Sequence, residues 1–418
     1  MIQIENKQDC CGCNACVQRC PKQCISMIED KEGFLYPQVD VDSCVNCGLC
    51  DKVCPVIHQN PVRQPLGVYA GINPNEIIRM QSSSGGIFTM IAEQIIDEGG
   101  VVFGVKYNEH WEAVHDYALT KQDLVAFRTS KYIQSIVGKT YKEAESFLRQ
   151  GKKVLYSGTP CQIAGLKKFL RRNYENLLTI DFICHGTPSP GVFRWYLSEE
   201  LTRIACMKNK RKMFALQNIP EIPKIDLLAK EYNLEIKGIR FRDKRKGWRK
   251  YSFVLDVAKL SVFGKKKMIS LSQTFDMHVF LRGFLKDLYL RPSCYACPAK
   301  QLKSGADITI GDWWGIQKIK PEIDDDKGIS AIIVNSNSGV RQIQKLNINV
   351  HEVEYADLCQ NNSALLRSAV IPTTRDTFYA VDGNSFFEKI NEICRISAKD
   401  RFKKKIKLFL GFFKMKYK

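Results

Sequence analysis

No apolar run in the 418-residue sequence reaches the roughly 18 residues a membrane span needs. The start, MIQIENKQDCC, lacks the basic segment and apolar stretch of a secretory leader, so a cytoplasmic protein is expected. No G-x-G-x-x-G follows a strand-like run and no G-x-x-x-x-G-K-[ST] occurs, which argues against a standard dinucleotide fold and a P-loop. H-E-x-x-H and G-x-S-x-G are also missing, which removes the common zinc-protease and serine-hydrolase signatures. With 44% hydrophobic and 26% charged residues the chain is globular, and its length suits two or three domains.

What the sequence has in excess is cysteine and positive charge. Seventeen cysteines in a long chain without a leader point to metal or redox chemistry, not to a disulfide scaffold. A net charge of +19 favours acidic partners, phosphate-bearing cofactors or an anionic membrane surface.

Ten of the cysteines fall between Cys10 and Cys54, and eight of these form two copies of C-x2-C-x2-C-x3-C-P. The copies are Cys10, Cys13, Cys16, Cys20 with Pro21, and Cys44, Cys47, Cys50, Cys54 with Pro55. Three thiolates at steps of three wrap one face of an iron-sulfur cube, and the fourth, turned away at its proline, reaches the other cube. Cys10, Cys13, Cys16 and Cys54 are therefore expected to hold one [4Fe-4S] cluster, and Cys44, Cys47, Cys50 and Cys20 the second. Zinc also uses C-x2-C pairs, but eight ligands in a duplicated run with both prolines disfavour it. Residues 1–60 resemble a bacterial-type two-cluster ferredoxin. Cys11 and Cys24 fall outside the spacing and read as small buried or incidental thiols.

After Pro55 the stretch HQNPVRQPLG reads as a linker, with a second domain starting near Leu66. From there strands alternate with helices. VYAGI is followed by a helix from about Ser84 to Glu98 and the strand VVFGVKY. Thr140 and Glu143 suggest a capping box for a helix running to Gly151, with the strand VLYS after it. NLLTIDFI reads as a buried strand and GVFRWYLSEEL as a helix. The expected body is α/β or α+β, with strands and loops from about Met207 to Gly264.

Four body cysteines sit where a strand should give way to a turn or helix: Cys161 in SGTPCQIAG, Cys184 in DFICHGTPSP, and Cys294 and Cys297 in RPSCYACP. Such ends can meet at one edge of a sheet. From spacing alone, a third [4Fe-4S] cluster, a zinc site and thiols without metal all stay open. Cys206, Cys359 and Cys394 read as structural.

QSSSGGIF, SKYIQS, GTPCQIAGL, DFICHGTPSP, IRFRDKRKGW, CYACP and ADITIGDWWGI resemble the coenzyme F420 hydrogenase/dehydrogenase beta-subunit family over about residues 66–340. The resemblance implies an iron-sulfur flavoprotein oxidoreductase, in which FAD exchanges electrons with [4Fe-4S] clusters and with a two-electron partner such as a deazaflavin. It also implies a third cluster held by Cys161, Cys184, Cys294 and Cys297. For the flavin, Ser82, Ser83, Ser84, Gly85 and Gly86 precede a helix, where free backbone N–H groups would cradle a diphosphate. An ordinary N-cap with a close-packed glycine pair is the alternative. Lys131, Gln134 and Ser135 in SKYIQS would meet the isoalloxazine or phosphate oxygens. His185 would donate a proton near the flavin or serve as a structural histidine. Asp312, Lys327 and Ser330 would orient a cofactor group or cap a turn.

Two basic runs remain. FRDKRKGWRK, residues 241–250, sets six basic residues beside Trp248 and suits a deazaflavin tail or an acidic ferredoxin, unless it is a solvated hairpin. From Arg401 the chain has eight basic residues, interleaved aromatic and aliphatic ones and no acid, as a peripheral membrane helix or a docked tail would. The partners expected are a one-electron donor or acceptor such as ferredoxin or a redox subunit, and a small two-electron substrate. Nucleic acid is the least favoured, because no nucleic-acid module is recognisable. Two other functions stay open: an electron-transfer subunit without its own substrate, and a reductase acting on a glycan or cell-surface precursor.

Overall fold

The computed structural model describes residues 1–205, 219–260, 266–346, 348 and 350–395. The basic tail from Arg401 and Cys206 lie outside the described residues. Thirteen strands are described, in three sheets.

The cysteine-rich N-terminal segment contains an antiparallel hairpin, β1 (Ile25–Glu29) with β2 (Leu35–Val39), and two short helices, Ala15–Arg19 and Leu49–Lys52, that carry Cys16 and Cys50. The following stretch is laid along the body. The Asn60 side-chain amide donates to Lys303 O and the Arg63 guanidinium to Asn335 O, both at 2.9 Å.

The main sheet has eight strands. They are β3 (Gly67–Gly71), β4 (Val101–Tyr107), β5 (Ala113–Ala118), β6 (Val154–Ser157), β7 (Leu177–Phe182), β11 (Ile308–Asp312), β12 (Ser330–Val334) and β13 (Val350–Glu352), in the order β13-β3-β12-β11-β7-β6-β4-β5. The central pairs β4·β6, β6·β7 and β7·β11 are parallel, and the outer pairs are antiparallel. The expected mixed α/β body is what forms. Helices Ile87–Asp97, Thr140–Arg149 and Pro160–Leu170 bury apolar residues against the sheet, among them Ile91, Ala144 and Ile163, all 0% exposed. Because β6 and β7 run parallel side by side, the segments leaving their carboxyl ends emerge at one edge, where open α/β sheets place their sites.

A separate antiparallel sheet, β8 (Leu234–Asp243), β9 (Ser252–Leu260) and β10 (Lys266–Thr274), packs with helices Pro190–Ala205 and Phe386–Ile393 around a second apolar core. Within the region expected to hold only strands and loops, a helix forms over Ile225–Glu231, with Ile225, Leu228 and Ala229 buried.

Two local expectations are corrected. The helix expected from Ser84 begins at Ile87, because Gly86 is its N-cap with φ +85°, a conformation that stops helix propagation backwards. Thr140 does not cap its helix. It lies inside the first turn behind Lys139, and its hydroxyl is buried against Val137 O and the Tyr156 hydroxyl at 2.8 and 2.7 Å, so Glu143 has no capping partner there.

Candidate functional site

In the N-terminal segment, Asn14 and Gly48 adopt left-handed backbone geometry as N-caps of the two short helices and curl each cysteine run around a hollow. Cys10, Cys13, Cys16 and Cys54 line one cavity of about 350 Å³. Cys20, Cys44, Cys47 and Cys50 line another of about 350 Å³, together with Cys24, whose Sγ is 3.4 Å from that of Cys20. The fourth cysteine of each run thus faces the cavity of the other. Burial, reinforced by Cys10 and Cys54, pushes the Cys16 thiol up to about 12. Ligation of metal there must release protons.

In the body, Cys161, Cys184, Cys294 and Cys297 line a third cavity, of about 630 Å³. Cys161 is in the first turn of helix Pro160–Leu170, which starts sharply because Pro160 occupies its first position and Thr159 N–H donates to Gln162 Oε1 at 2.9 Å. Cys184 follows β7. Cys294 and Cys297 arrive on the turn after Arg291, which is tied alongside residues 187–189 by Arg291 N to Thr187 O and Ser189 N to Tyr289 O, both 2.9 Å. Burial pushes the Cys294 thiol up to about 11. Among the described residues no three His, Cys, Asp or Glu side chains converge where one metal ion would sit. Thiols ringing a hollow are the ligand type that both iron-sulfur clusters and zinc use.

The first and third cavities share a wall. Cys11 lines both, 4% exposed, with its thiol within hydrogen-bonding reach of Cys13 on one side and Cys161 on the other. The loop that carries it is locked into the body. Gln134 Nε2 donates to Cys11 O at 3.1 Å, Asn14 Nδ2 donates to Gly138 O at 2.5 Å, and Tyr141 N donates to Gln18 Oε1 at 3.0 Å. Gly12, at φ +68°, admits no side chain: a Cβ would stand 2.6 Å from Gln134 Nε2 and 2.8 Å from Arg291 Nη1. Sequence reasoning gave Cys11 no role and passed over Arg291. The adjacent C-x2-C runs hinted at both, but only tertiary contacts bring them together.

The flavin candidates are scattered over two regions. Gly85 N–H donates to Ser330 Oγ at 3.0 Å. Ser84 Oγ donates to Ile329 O at 2.8 Å. The carbonyls of Arg79, Ser84 and Lys327 converge on the Lys244 ammonium at 2.6 to 2.8 Å, and a Cβ on Gly85 would meet Gly71 O at 2.5 Å. Lys244 thus gathers carbonyl oxygens around the Ser82–Gly86 stretch, while of the N–H groups of that stretch Gly85 donates to Ser330. Lys327 Nζ pairs with Glu76 at the surface.

Nearby residues retain unsatisfied polarity. Ser83 Oγ accepts from Ser130 N at 2.7 Å, and Lys131 Nζ donates to Ala126 O and Arg128 O at 3.1 and 3.3 Å, with burial lowering its pKa to about 7. Lys131 lies over the Tyr107 ring, and the buried Tyr107 Oη and Arg242 Nε have no hydrogen-bond partner among the described residues. Arg242 bridges Asp312 at 2.6 Å, Tyr132 Oη at 3.1 Å and Ser83 O at 3.3 Å. From Tyr132 a ring path leads through Phe284, 4.9 Å away, to His185, 5.4 Å further, on the rim of the third cavity. His185 Nε2 is 2.5 Å from Asp287 Oδ1. Gln134 and Ser135 point elsewhere, Gln134 to the Cys11 loop and Ser135 to His115 Nδ1 at 3.1 Å.

The basic run 241–250 forms the turn between β8 and β9, but it is not simply solvated. Arg242 and Lys244 are buried, Trp248 Nε1 donates to Asp312 at 2.9 Å and its ring stacks on Trp314 at 4.8 Å. Arg249 pairs with Asp324 and Asp326. No helix among the described residues is long and apolar enough to cross a membrane.

Residues 151–357 match the family model for the C terminus of the coenzyme F420 hydrogenase/dehydrogenase beta subunit, and residues 9–57 match the 4Fe-4S dicluster domain. The F subunit of the F(420)H(2) dehydrogenase of Methanosarcina mazei is 24% identical over 186 residues, 42% of this chain and 53% of that protein. The coenzyme F420-dependent sulfite reductase of Methanocaldococcus jannaschii is 25% identical over 196 residues, 44% of this chain and 29% of that protein. The chain therefore spans about half, or less, of the length of these relatives. A chain from a solved structure of the xenon-derivatised F420-reducing [NiFe] hydrogenase complex of Methanosarcina barkeri aligns with 80% of this chain and 93% of its own length, at 14% identity and a TM-score of 0.41.

Proposed function

From a chain that belongs to the coenzyme F420 hydrogenase/dehydrogenase beta-subunit family and carries a 4Fe-4S dicluster domain in front, we propose an oxidoreductase that passes electrons between [4Fe-4S] clusters and a two-electron partner through FAD. Cys10, Cys13, Cys16 and Cys54 would hold the first cluster, Cys20, Cys44, Cys47 and Cys50 the second, and Cys161, Cys184, Cys294 and Cys297 the third. Ser83 and Lys131, beside the unpaired Tyr107 Oη and Arg242 Nε, are the residues best placed to hold the flavin. When bound, the clusters supply single-electron steps and the flavin joins them to two-electron chemistry.

The observation that carries this reading is Cys11, one side chain thick, standing between the first and third cavities. The chain's own residues do the rest. Cys11 fills the wall between the two cavities, and Gln134 fixes the loop that carries it. His185, braced by Asp287, would hold a proton at the rim of the third cavity.

The proposed substrate class is a deazaflavin or another small two-electron carrier. A second reading, an electron-transfer subunit without its own substrate, is favoured by the relative that is itself named as one subunit of a dehydrogenase. Purification without oxygen, with iron, acid-labile sulfide and flavin counted per chain, tests the proposal. About twelve irons and about one FAD are expected. About eight irons and no flavin after reconstitution would confine the redox role to the N-terminal segment. Reduction of a deazaflavin by the isolated chain supports the enzyme reading, and its failure alongside a stable complex on pull-down supports the subunit reading.

A further inference from the structure

Arg291 is a large charged side chain, 1% exposed, with no carboxylate among its hydrogen-bond partners. Its Nε donates to Cys10 O at 2.7 Å and Nη1 to Gln134 Oε1 at 2.9 Å. Nη2 donates to Leu35 O at 3.0 Å and to Cys10 Sγ at 3.4 Å. The guanidinium lies 4.3 Å from the Tyr36 ring centroid and 5.4 Å from that of Phe34, and these rings screen it from water. A buried cation is costly unless something of opposite charge answers it. Among its hydrogen-bond partners, the only group able to carry that charge is the sulfur of Cys10.

The second cavity is built differently. Asp51 Oδ1 lies 3.9 Å from Cys50 Sγ, and its Oδ2 pairs with the Met1 ammonium at 3.1 Å. Cys50 Sγ accepts from Ile2 N at 3.3 Å. Of the cations lining this cavity, Met1 is half-buried and Lys22 exposed, so that water screens them. Cys47 there is exposed. The one carboxylate lining the first cavity, Asp9, is itself exposed and so screened. The first site therefore carries an uncompensated buried positive charge and the second does not.

We propose that Arg291 is the fixed counter-charge of the first site and makes a cluster held by Cys10, Cys13, Cys16 and Cys54 the easier of the two N-terminal clusters to reduce. Positive charge and a hydrogen bond on a ligating sulfur both favour the reduced, more negative form, and burial keeps the effect from being screened. Electrons entering at the exposed second site are thereby drawn inward to the Cys11 wall. Gln134 acts with Arg291 as a positioning residue, holding both the guanidinium and the loop.

The inference rests on the clusters being bound as proposed above, so the test begins with iron counts on the wild-type chain. The measurement is a reductive titration of the full chain, followed by electron paramagnetic resonance, for wild type, Arg291→Gln and Arg291→Lys. Wild-type iron content is expected in all three. In Arg291→Gln, the reduction equilibrium of one N-terminal cluster should shift at least tenfold toward the oxidised form, about 59 mV for a one-electron couple. Arg291→Lys should restore part of the shift, and the other N-terminal cluster should not move. Unchanged midpoints at full iron content would overturn the proposal and leave the cluster assignment standing. Loss of iron in both variants would make Arg291 a retention residue and would also overturn it. Too little iron in the wild type would instead sink the cluster reading itself.

Discussion

Gly165 and Cys13 touch so closely that a Cβ on Gly165 would come within 2.8 Å of both Cβ and Sγ of Cys13. The helix that carries Cys161 thus gives up a side chain where the N-terminal loop presses on it. Gly165→Ala sets two effects in opposition. Alanine in a helix interior gains about 1 kcal/mol, whereas overpacking a tight contact costs about 1–3 kcal/mol. A Cys13 held by a bound cluster could not retreat, so the clash should win, by up to about 2 kcal/mol. Denaturant unfolding should show the loss, and the iron count should fall by about four. A more stable variant with full iron would refute this packing account.

Cys11 and Cys161 are neighbours with different expected roles. Cys161→Ala should lower the iron content by up to about four per chain, whereas Cys11→Ala should leave it unchanged. Iron and sulfide assays on anaerobically purified variants decide. Equal loss in both would make Cys11 a ligand.

Buried histidines set an acid limit on stability. His278 stacks on Phe253 at 4.0 Å, and its Nδ1 accepts from Leu281 N, so the proton sits on Nε2, 2.8 Å from the Tyr196 hydroxyl. Burial lowers its pKa from 6.5 to about 3, and burial likewise lowers that of His115 to about 4. The unfolded chain takes up these protons near pH 6.5 and the folded one does not. Stability is therefore complete above that pH and falls as pH drops toward about 4 for His115 and about 3 for His278. In His278→Gln, unfolding free energy between pH 7.5 and 5.5 should fall by about 1.4 kcal/mol less than in wild type. An identical slope would count against a neutral His278.

Glu32, at the turn of the β1–β2 hairpin, meets Arg375, whose Nη1 is 2.9 Å from Oε1, and the two side chains are 10% and 11% exposed. Removing one partner of such a pair strands the other charge. Arg375→Met should cost about 3–5 kcal/mol, and adding Glu32→Gln should recover much of it. Midpoints of denaturant unfolding for the two single variants and the double variant measure the coupling.

Strands such as Val101–Tyr107 and Val154–Ser157 were legible to the residue, because β-branched and aromatic runs between turn residues leave little choice. The eight N-terminal cysteines line two cavities in the sets that spacing suggested, and the four body cysteines line a third, although Cys294 and Cys297 reach it on a turn and not from the strand end expected. The start of the helix at Ile87 was not, because one glycine in left-handed geometry overrides the Ser-rich signal before it. Thr140 looked like a cap because sequence does not reveal that Tyr156 claims its hydroxyl. Lys244 and Arg242 looked like surface charge because the carbonyls and the Asp312 carboxylate that satisfy them come from distant segments. Arg291 stayed hidden for the same reason, since residues 10, 35 and 134 meet it only in the folded chain.

Three of the four acceptors around Arg291 belong to the N-terminal segment: the Cys10 carbonyl, the Cys10 sulfur and the Leu35 carbonyl. This limits how freely such a segment can be traded between proteins. A ferredoxin transplanted onto this body would need more than its cysteine spacing. It would have to offer a glycine opposite Gln134, a carbonyl where Leu35 lies and a sulfur within reach of the guanidinium. Without them the graft would leave a bare cation in the interior. The two parts are thus a matched pair in this chain, and a recombinant that joins mismatched partners should fail at the seam before it fails at either centre.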